Sequence, residues 1–408
     1  MTIPQPTSGP AGDPANAVRR LLIADPALQH ALGDIVDPAA FAAALHRLAG
    51  EAGVPWDEAA GAALFRPDPL GLARWAPAPV EAVGWPGEGW LPARSVAGSE
   101  APAFDWAWLG DRALDRPFYE DSMRQAGHRP ISQFLRARTS LDALVSGWHA
   151  EPDPAVPAGL VFHLSRCGST LVARMLQTLP GCYAASEPEP FDALVQWAWR
   201  APVATDAKIG ALRAMAAALG RNRPREDARF FIKLDCWHTL SLPLLREAFP
   251  DTPWLFLYRD PIEVAVSQTD RPGVHVVPGM IGSDMIGIEG GEAMPQAEYC
   301  ARVLGRILAA AHEHAAVGGG LFIDYDELIE AMPGRIADHF AIPVDAAARA
   351  QIALLSARNA KSPEQPFADY RSAKRAAAPA ELARAVERWA APAYRQLLQR
   401  DMGPESLR

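Results

Sequence analysis

The chain has 408 residues, 49% of them apolar and 21% charged, enough for two or three domains around a sizeable core. A formal charge of −9 and a pI near 5.6 exclude a broad phosphate-binding surface, so no nucleic-acid partner is expected and an anionic ligand needs a local arginine-rich pocket. Four scattered cysteines (Cys167, Cys182, Cys236, Cys300) without a CxxC pair exclude a disulfide scaffold or zinc ribbon, and no metal is expected.

Residues 16–65 read as a small helical module. Asp25-Pro26 and Asp37-Pro38 each place an N-cap acceptor before a proline at the first helical position. Phe41, Leu45 and Leu48 then follow at helical spacing, and Gly53 closes the helix. Arg19 and Arg20 read as helix surface. The segment 66–157 is rich in tryptophan, proline and glycine and predicts an irregular α+β region, with a strand over Phe104–Leu109 and a short helix over Asp121–Ala126. Its tryptophans suit a packing layer more than the lining of a cleft.

From residue 158 to 408 the pattern becomes short β-rich runs separated by helical stretches. Leu160–Leu164, Phe230–Leu234, Trp254–Tyr258 and Leu321–Ile323 predict buried parallel strands. Thr170–Leu179, Ala207–Leu219, Leu240–Ala248 and Gln296–Val317 predict helices between them, and Pro379–Arg400 predicts one amphipathic helix at the end. The fold class expected is therefore α/β, a doubly wound parallel sheet, preceded by the helical module and the α+β segment. The run Pro272–Pro295 is too long for a tight connection and reads as a mobile loop beside an acceptor cleft. No apolar run approaches the roughly 18 residues of a membrane helix, and the proline- and glycine-rich start lacks the order of a signal peptide. A cytoplasmic protein without a membrane span is expected.

The first chemical signal is Ser165-Arg-Cys-Gly-Ser-Thr170, between a strand and a helix. There, backbone N–H groups and the helix dipole hold phosphates, with Gly168 allowing close approach, Ser169 and Thr170 adding hydroxyls and Arg166 adding charge. It is not a Walker A loop, because no Gly-Lys pair exists in the chain, nor a Cys-x5-Arg phosphatase loop. Cys167 reads as a small space-filling residue of the loop. His163 alternates inward beside the loop and reads as a satisfied core or near-site histidine rather than a catalytic one. His312-Glu-His314 is not HExxH, since Ala316 holds the last position.

The second signal is Tyr258-Arg-Asp-Pro-Ile-Glu-Val-Ala-Val-Ser267, with Arg259 at a strand end and Ser267 two turns into the next helix. With these two motifs in order, the sequence resembles the sulfotransferases that use 3′-phosphoadenosine 5′-phosphosulfate. Ser186-Glu-Pro188, Lys233 and Tyr325-Asp-Glu-Leu328 match further, and the resemblance spans about 158–400. It implies a P-loop-like fold in which Ser165, Arg166, Cys167, Gly168, Ser169 and Thr170 hold the 5′-phosphosulfate and Arg259 and Ser267 the 3′-phosphate. Lys361, Arg371 and Lys374 are assigned as further 3′-phosphate contacts.

Glu187 lies where the tyrosylprotein branch has its catalytic base, while Asp235 sits two residues past Lys233, where cytosolic members carry histidine, and His238 lies close by. The base is therefore open among Glu187, Asp235 and His238, and Glu187 is preferred. Pro188 is expected to keep Glu187 extended, and burial to raise its pKa. The acceptor implied is a hydroxyl or amine of a peptide, saccharide, lipid or metabolite. Residues 16–65 separately resemble the leader-peptide-like module of nitrogen-fixation operons, which keeps a non-catalytic peptide-binding scaffold as an alternative; a P-loop kinase is a second.

Overall fold

The structure is a computed structural model and describes residues 14–57, 80–96, 101–221, 228–357 and 378–401. The chain forms two compact units. One comprises Met1–Val156, Glu189–Leu194 and Gly210–Glu226; the other comprises Pro157–Pro188, Val195–Ile209 and Asp227–Arg408.

In the first unit, helices Pro14–Ala24, Pro26–Gly33 and Pro38–Glu51 form as the capping signals dictate. The Asp25 carboxylate accepts from the Ala27 and Leu28 amides, and the Asp37 carboxylate from the Ala40 amide. Arg19 is not on the surface. It is buried, donates to the Phe134 carbonyl at 2.8 Å and lies over the Phe134 ring, its aliphatic stem packed with the core.

Four short strands follow: β1 (Val80–Glu81), β2 (Trp90–Val96), β3 (Ala103–Trp108) and β4 (Ala137–Thr139). They pair in the order β1-β4-β3-β2, with β1 and β4 parallel and the other pairs antiparallel. A bulge at Pro92–Arg94 bends β2, where proline removes a ladder donor. Trp90, Trp106 and Trp108 are core residues. Trp90 donates to the Gln29 side chain and Trp106 to the Thr139 hydroxyl, which satisfies those two buried indole N–H groups, whereas the Trp108 indole N–H has no hydrogen-bond partner among the described residues.

The second unit is built on five strands, β5 (Gly159–His163), β6 (Cys182–Ser186), β7 (Arg229–Lys233), β8 (Trp254–Tyr258) and β9 (Gly320–Asp324), all parallel and ordered β6-β7-β5-β8-β9. Strands β5, β6, β7 and β8 are buried almost throughout, as parallel strands covered on both faces must be. The chain leaves β5 towards one edge of the sheet and returns to build the other half from β8. The crevice at the carboxyl end of β5 is thus the topological switch point, where such sheets bind ligands.

One face carries a cluster of Val172, Met175, Leu176, Phe231, Leu255, Ile336 and Phe340. On the helix Gln296–Glu313, a Cβ on Gly305 would lie 2.1 Å from the Trp389 carbonyl oxygen, so glycine there admits the close approach of the C-terminal helix.

Two expectations need correction. The C-terminal segment is two helices, Ala380–Trp389 and Ala391–Asp401, because Pro392 has no N–H to continue the ladder. Pro272–Pro295 carries short helical turns at Val274–Val276, Ser283–Ile286 and Gly291–Ala293, and it buries Val276, Ile281, Met285 and Ile286. Among the described residues, no helix is long and apolar enough to cross a membrane.

Candidate active site at the carboxyl ends of the strands

The residues after β5 turn sharply before the helix Ser169–Thr178 begins. Ser165 (φ 78°), Arg166 (φ 50°) and Gly168 (φ 83°) are all left-handed. A Cβ on Gly168 would lie 2.3 Å from the Leu328 side chain, so both conformation and space demand glycine. Among the described residues, no backbone carbonyl accepts from the amides of Arg166, Cys167, Gly168 or Thr170, while the Ser169 amide meets the Cys167 sulfur. Orphan N–H groups at a helix N-terminus after a strand form an anion cradle. The Cys167 thiol is buried and donates to the Leu257 carbonyl at 3.2 Å; burial pushes its pKa up to about 11, which makes it filler rather than nucleophile. Arg166 reaches across to donate to the Arg271 carbonyl at 2.7 Å.

Beside this cradle, adjacent strand ends bring Glu187 and Lys233 together. Ser186 and Lys233 are register partners, and the Glu187 amide donates to the Lys233 carbonyl at 2.7 Å. The Lys233 ammonium, 1% exposed, donates to Glu187 Oε1, while the Glu187 side chain keeps a quarter of its surface open. Glu187 departs from its expected form in two ways. It is left-handed (φ 52°) rather than extended, a strained state for a residue before proline. Burial pushes its carboxyl up as expected, but Lys233 and His163 outweigh that effect and hold it well below the usual carboxylate range.

Asp235 and His238 serve each other instead. Asp235 caps the short helix Cys236–Ser241, and its amide donates to His238 Nδ1 at 3.3 Å in a capping box.

Arg259 follows β8 with its guanidinium over the Tyr325 ring, 4.0 Å from the centroid, and it donates to the buried Glu263 carboxylate at 2.7 Å. Ser267 donates to the Glu263 carbonyl at 2.8 Å, one turn back. The motif spacing thus places Arg259 just ahead of the helix Pro261–Asp270 and Ser267 within it, both bonded to Glu263. Glu263 was missed in the sequence, although it lies four residues after Arg259, in the first turn of the helix that follows the arginine. Gln268 was missed as well. Its amide donates to Ser165 Oγ at 3.1 Å while its carbonyl accepts from the Gly273 amide, so it ties the loop at Arg271–Val276 to the cradle. Lys361, Arg371 and Lys374 lie outside the described residues.

Two buried histidines give the site a pH signature. Burial and the Lys233 charge lower His163 to about 4, and burial, with His163 and Arg166 adding to it, lowers His275 to about 3. Unfolded, both titrate near 6.5. Between those values the unfolded chain binds protons that the folded chain refuses, so stability is full above pH 6.5 and falls as the pH drops towards 4. A urea midpoint that declines from pH 7.5 to pH 5, and declines less in His275→Phe, is the expected result; a flat midpoint contradicts it.

Residues 160–345 match the model of the sulfotransferase family. Over that stretch the chain is similar to the sulfotransferase family. No curated protein matches the chain in sequence. Among solved structures, this chain is similar to a sulfotransferase from Mycobacterium tuberculosis at 18% identity and a TM-score of 0.34, covering 52% of this chain and 76% of the other. A sulfotransferase from Mycobacterium avium is similar at 13% identity and a TM-score of 0.37, over 60% and 82% of the two chains. One from Alicyclobacillus acidocaldarius is similar at 14% and 0.32, over 54% and 99%.

Proposed function

We propose that the protein transfers a sulfuryl group from 3′-phosphoadenosine 5′-phosphosulfate to a hydroxyl or amine of a peptide, saccharide, lipid or small metabolite. The observation that carries this reading is the meeting of Lys233 and Glu187 beside a loop of orphan amides at one sheet end. Sulfuryl transfer, like phosphoryl transfer, needs in-line positioning and charge stabilisation. Arg166 and the amides of Cys167, Gly168, Ser169 and Thr170 hold the 5′-phosphosulfate, with the Ser165 hydroxyl alongside. Arg259 and Ser267 hold the 3′-phosphate, joined in this reading by Lys361, Arg371 and Lys374.

The acceptor oxygen or nitrogen forms a bond to sulfur as the bond from sulfur to the phosphate oxygen breaks. Glu187 takes the acceptor proton, and Lys233 donates to the departing oxygen. Asp235 and His238 support the end of β7 through their capping box. The reading requires no metal. It assigns the donor site to 158–408 and leaves 16–65 and 66–157 as capping or recognition elements.

The 3′-phosphate separates this donor from ATP. Calorimetric titration is expected to show 3′-phosphoadenosine 5′-phosphate binding at least about tenfold tighter than ATP, the worth of one charge-assisted contact. ATP bound as tightly would replace this reading with a kinase-like one.

A further inference from the structure

His163 ends β5 with its ring almost fully buried. Its Nδ1 accepts the Ser165 amide at 3.0 Å, so in the neutral ring the proton is on Nε2. That Nε2 lies 2.9 Å from the Leu234 carbonyl and 3.3 Å from Glu187 Oε1. One ring therefore touches the first residue of the donor loop on one side and the carboxylate on the other. Both flanking segments are strained, with Ser165, Arg166 and Glu187 all at positive φ. Such conformations cost about 1–3 kcal/mol each and persist only where the surroundings over-determine them.

We propose that His163 is a positioning residue that holds the donor loop and the Glu187 carboxylate in register, through Nδ1, which accepts the Ser165 amide, and Nε2–H, which is shared between the Leu234 carbonyl and the Glu187 carboxylate. The role rests on Glu187 as base. With the loop and the carboxylate locked to one rigid ring, the acceptor deprotonated by Glu187 attacks along the line set by the donor on the loop. Misalignment of reacting groups by about an ångström is worth up to about a hundredfold in rate. The charged and titratable groups around the ring are Glu187, Lys233 and His275, and the depressed pKa of His163 keeps it the neutral, one-donor spacer the geometry needs.

The test compares His163→Asn, which keeps an acceptor near the place of Nδ1 and loses the Nε2–H, with His163→Phe, which keeps the volume and loses both. The probes are titration with 3′-phosphoadenosine 5′-phosphate and the release of sulfate from the phosphosulfate donor with water as acceptor. His163→Asn is expected to bind the nucleotide within about threefold of the wild type and to release sulfate at least about tenfold more slowly, while His163→Phe loses both.

Wild-type turnover in His163→Asn overturns the proposal, as does an equal loss of binding and turnover in both variants, which is what a packing role gives. On the unmutated protein, ¹⁵N histidine spectra are expected to show the Nε2–H tautomer from pH 5 to pH 8; the Nδ1–H tautomer overturns the proposal irrespective of activity. Glu187→Gln is measured alongside. Wild-type sulfate release in that variant removes the base reading itself, a failure distinct from a failure at His163.

Discussion

Glu187→Gln is expected to lower sulfuryl turnover at saturating donor by about a hundredfold or more while still binding 3′-phosphoadenosine 5′-phosphate. The argument begins with the ion pair. Lys233 holds the Glu187 carboxylate ionised far below its usual range, so the group is charged and ready to accept a proton at any working pH. A carboxylate clamped so strongly is by itself a poor base. In the proposed step, negative charge grows on the oxygen leaving sulfur, and Lys233 turns its donation towards that oxygen. As Lys233 leaves, the carboxylate gains basicity at the moment the acceptor proton must go, so the two residues act as one exchange.

The substitution also has a structural cost. An amide opposite an ammonium that is 1% exposed leaves a buried charge poorly matched, and a loss of about 1–3 kcal/mol is expected, less than for a fully buried pair because Glu187 is partly open. The turnover assay therefore runs beside a denaturation curve. Asp235→Asn is the control. It weakens a helix cap, worth about 1 kcal/mol, and leaves turnover within a few-fold of wild type. A hundredfold loss in Asp235→Asn with Glu187→Gln still active would move the base to Asp235.

The sheet and the turn from β5 into the next helix were legible in the sequence because each has a local cause. Buried parallel strands need uninterrupted apolar runs, and the four named runs fall on β5, β7, β8 and β9 to within a residue at each end. Asp-Pro pairs cap helices wherever they occur, and Asp25 and Asp37 do so here. What escaped was decided by partners distant in sequence. The direction of the Glu187 pKa depends on Lys233, 46 residues away and brought beside it by strand register. The burial of Arg19 depends on the Phe134 carbonyl, 115 residues away. The short strands β1 and β4, of two and three residues, carry too little periodicity to register at all. His163 was placed beside the site by its alternation, but its hydrogen bond from the Ser165 amide and its contact with Glu187 required the loop to fold back and β6 to end where it does.

Replacing Arg259 has the other large expected effect, and it has two parts that can be separated. Arg259 and Glu263 form a pair with side-chain exposures of 10% and 1%, so Arg259→Met strands a buried carboxylate and is expected to cost about 3–5 kcal/mol of stability. It also removes the guanidinium assigned to the 3′-phosphate. The double variant Arg259→Met/Glu263→Gln removes both charges and is expected to recover much of the lost stability, since replacing a whole buried pair is far milder than breaking it. Nucleotide recognition does not recover with it. Charge-assisted hydrogen bonds to a phosphate are worth about 1.5–3 kcal/mol, so the double variant is expected to bind 3′-phosphoadenosine 5′-phosphate about tenfold to a hundredfold more weakly. Adenosine 5′-phosphosulfate, which has no 3′-phosphate, is expected to bind the double variant as it binds the wild type. The comparison of the two nucleotides cancels general damage to the site, because a distorted crevice weakens both. If the stable double variant keeps the wild-type preference for the 3′-phosphorylated nucleotide, Arg259 is a structural partner of Glu263 and Tyr325, and the 3′-phosphate site lies elsewhere.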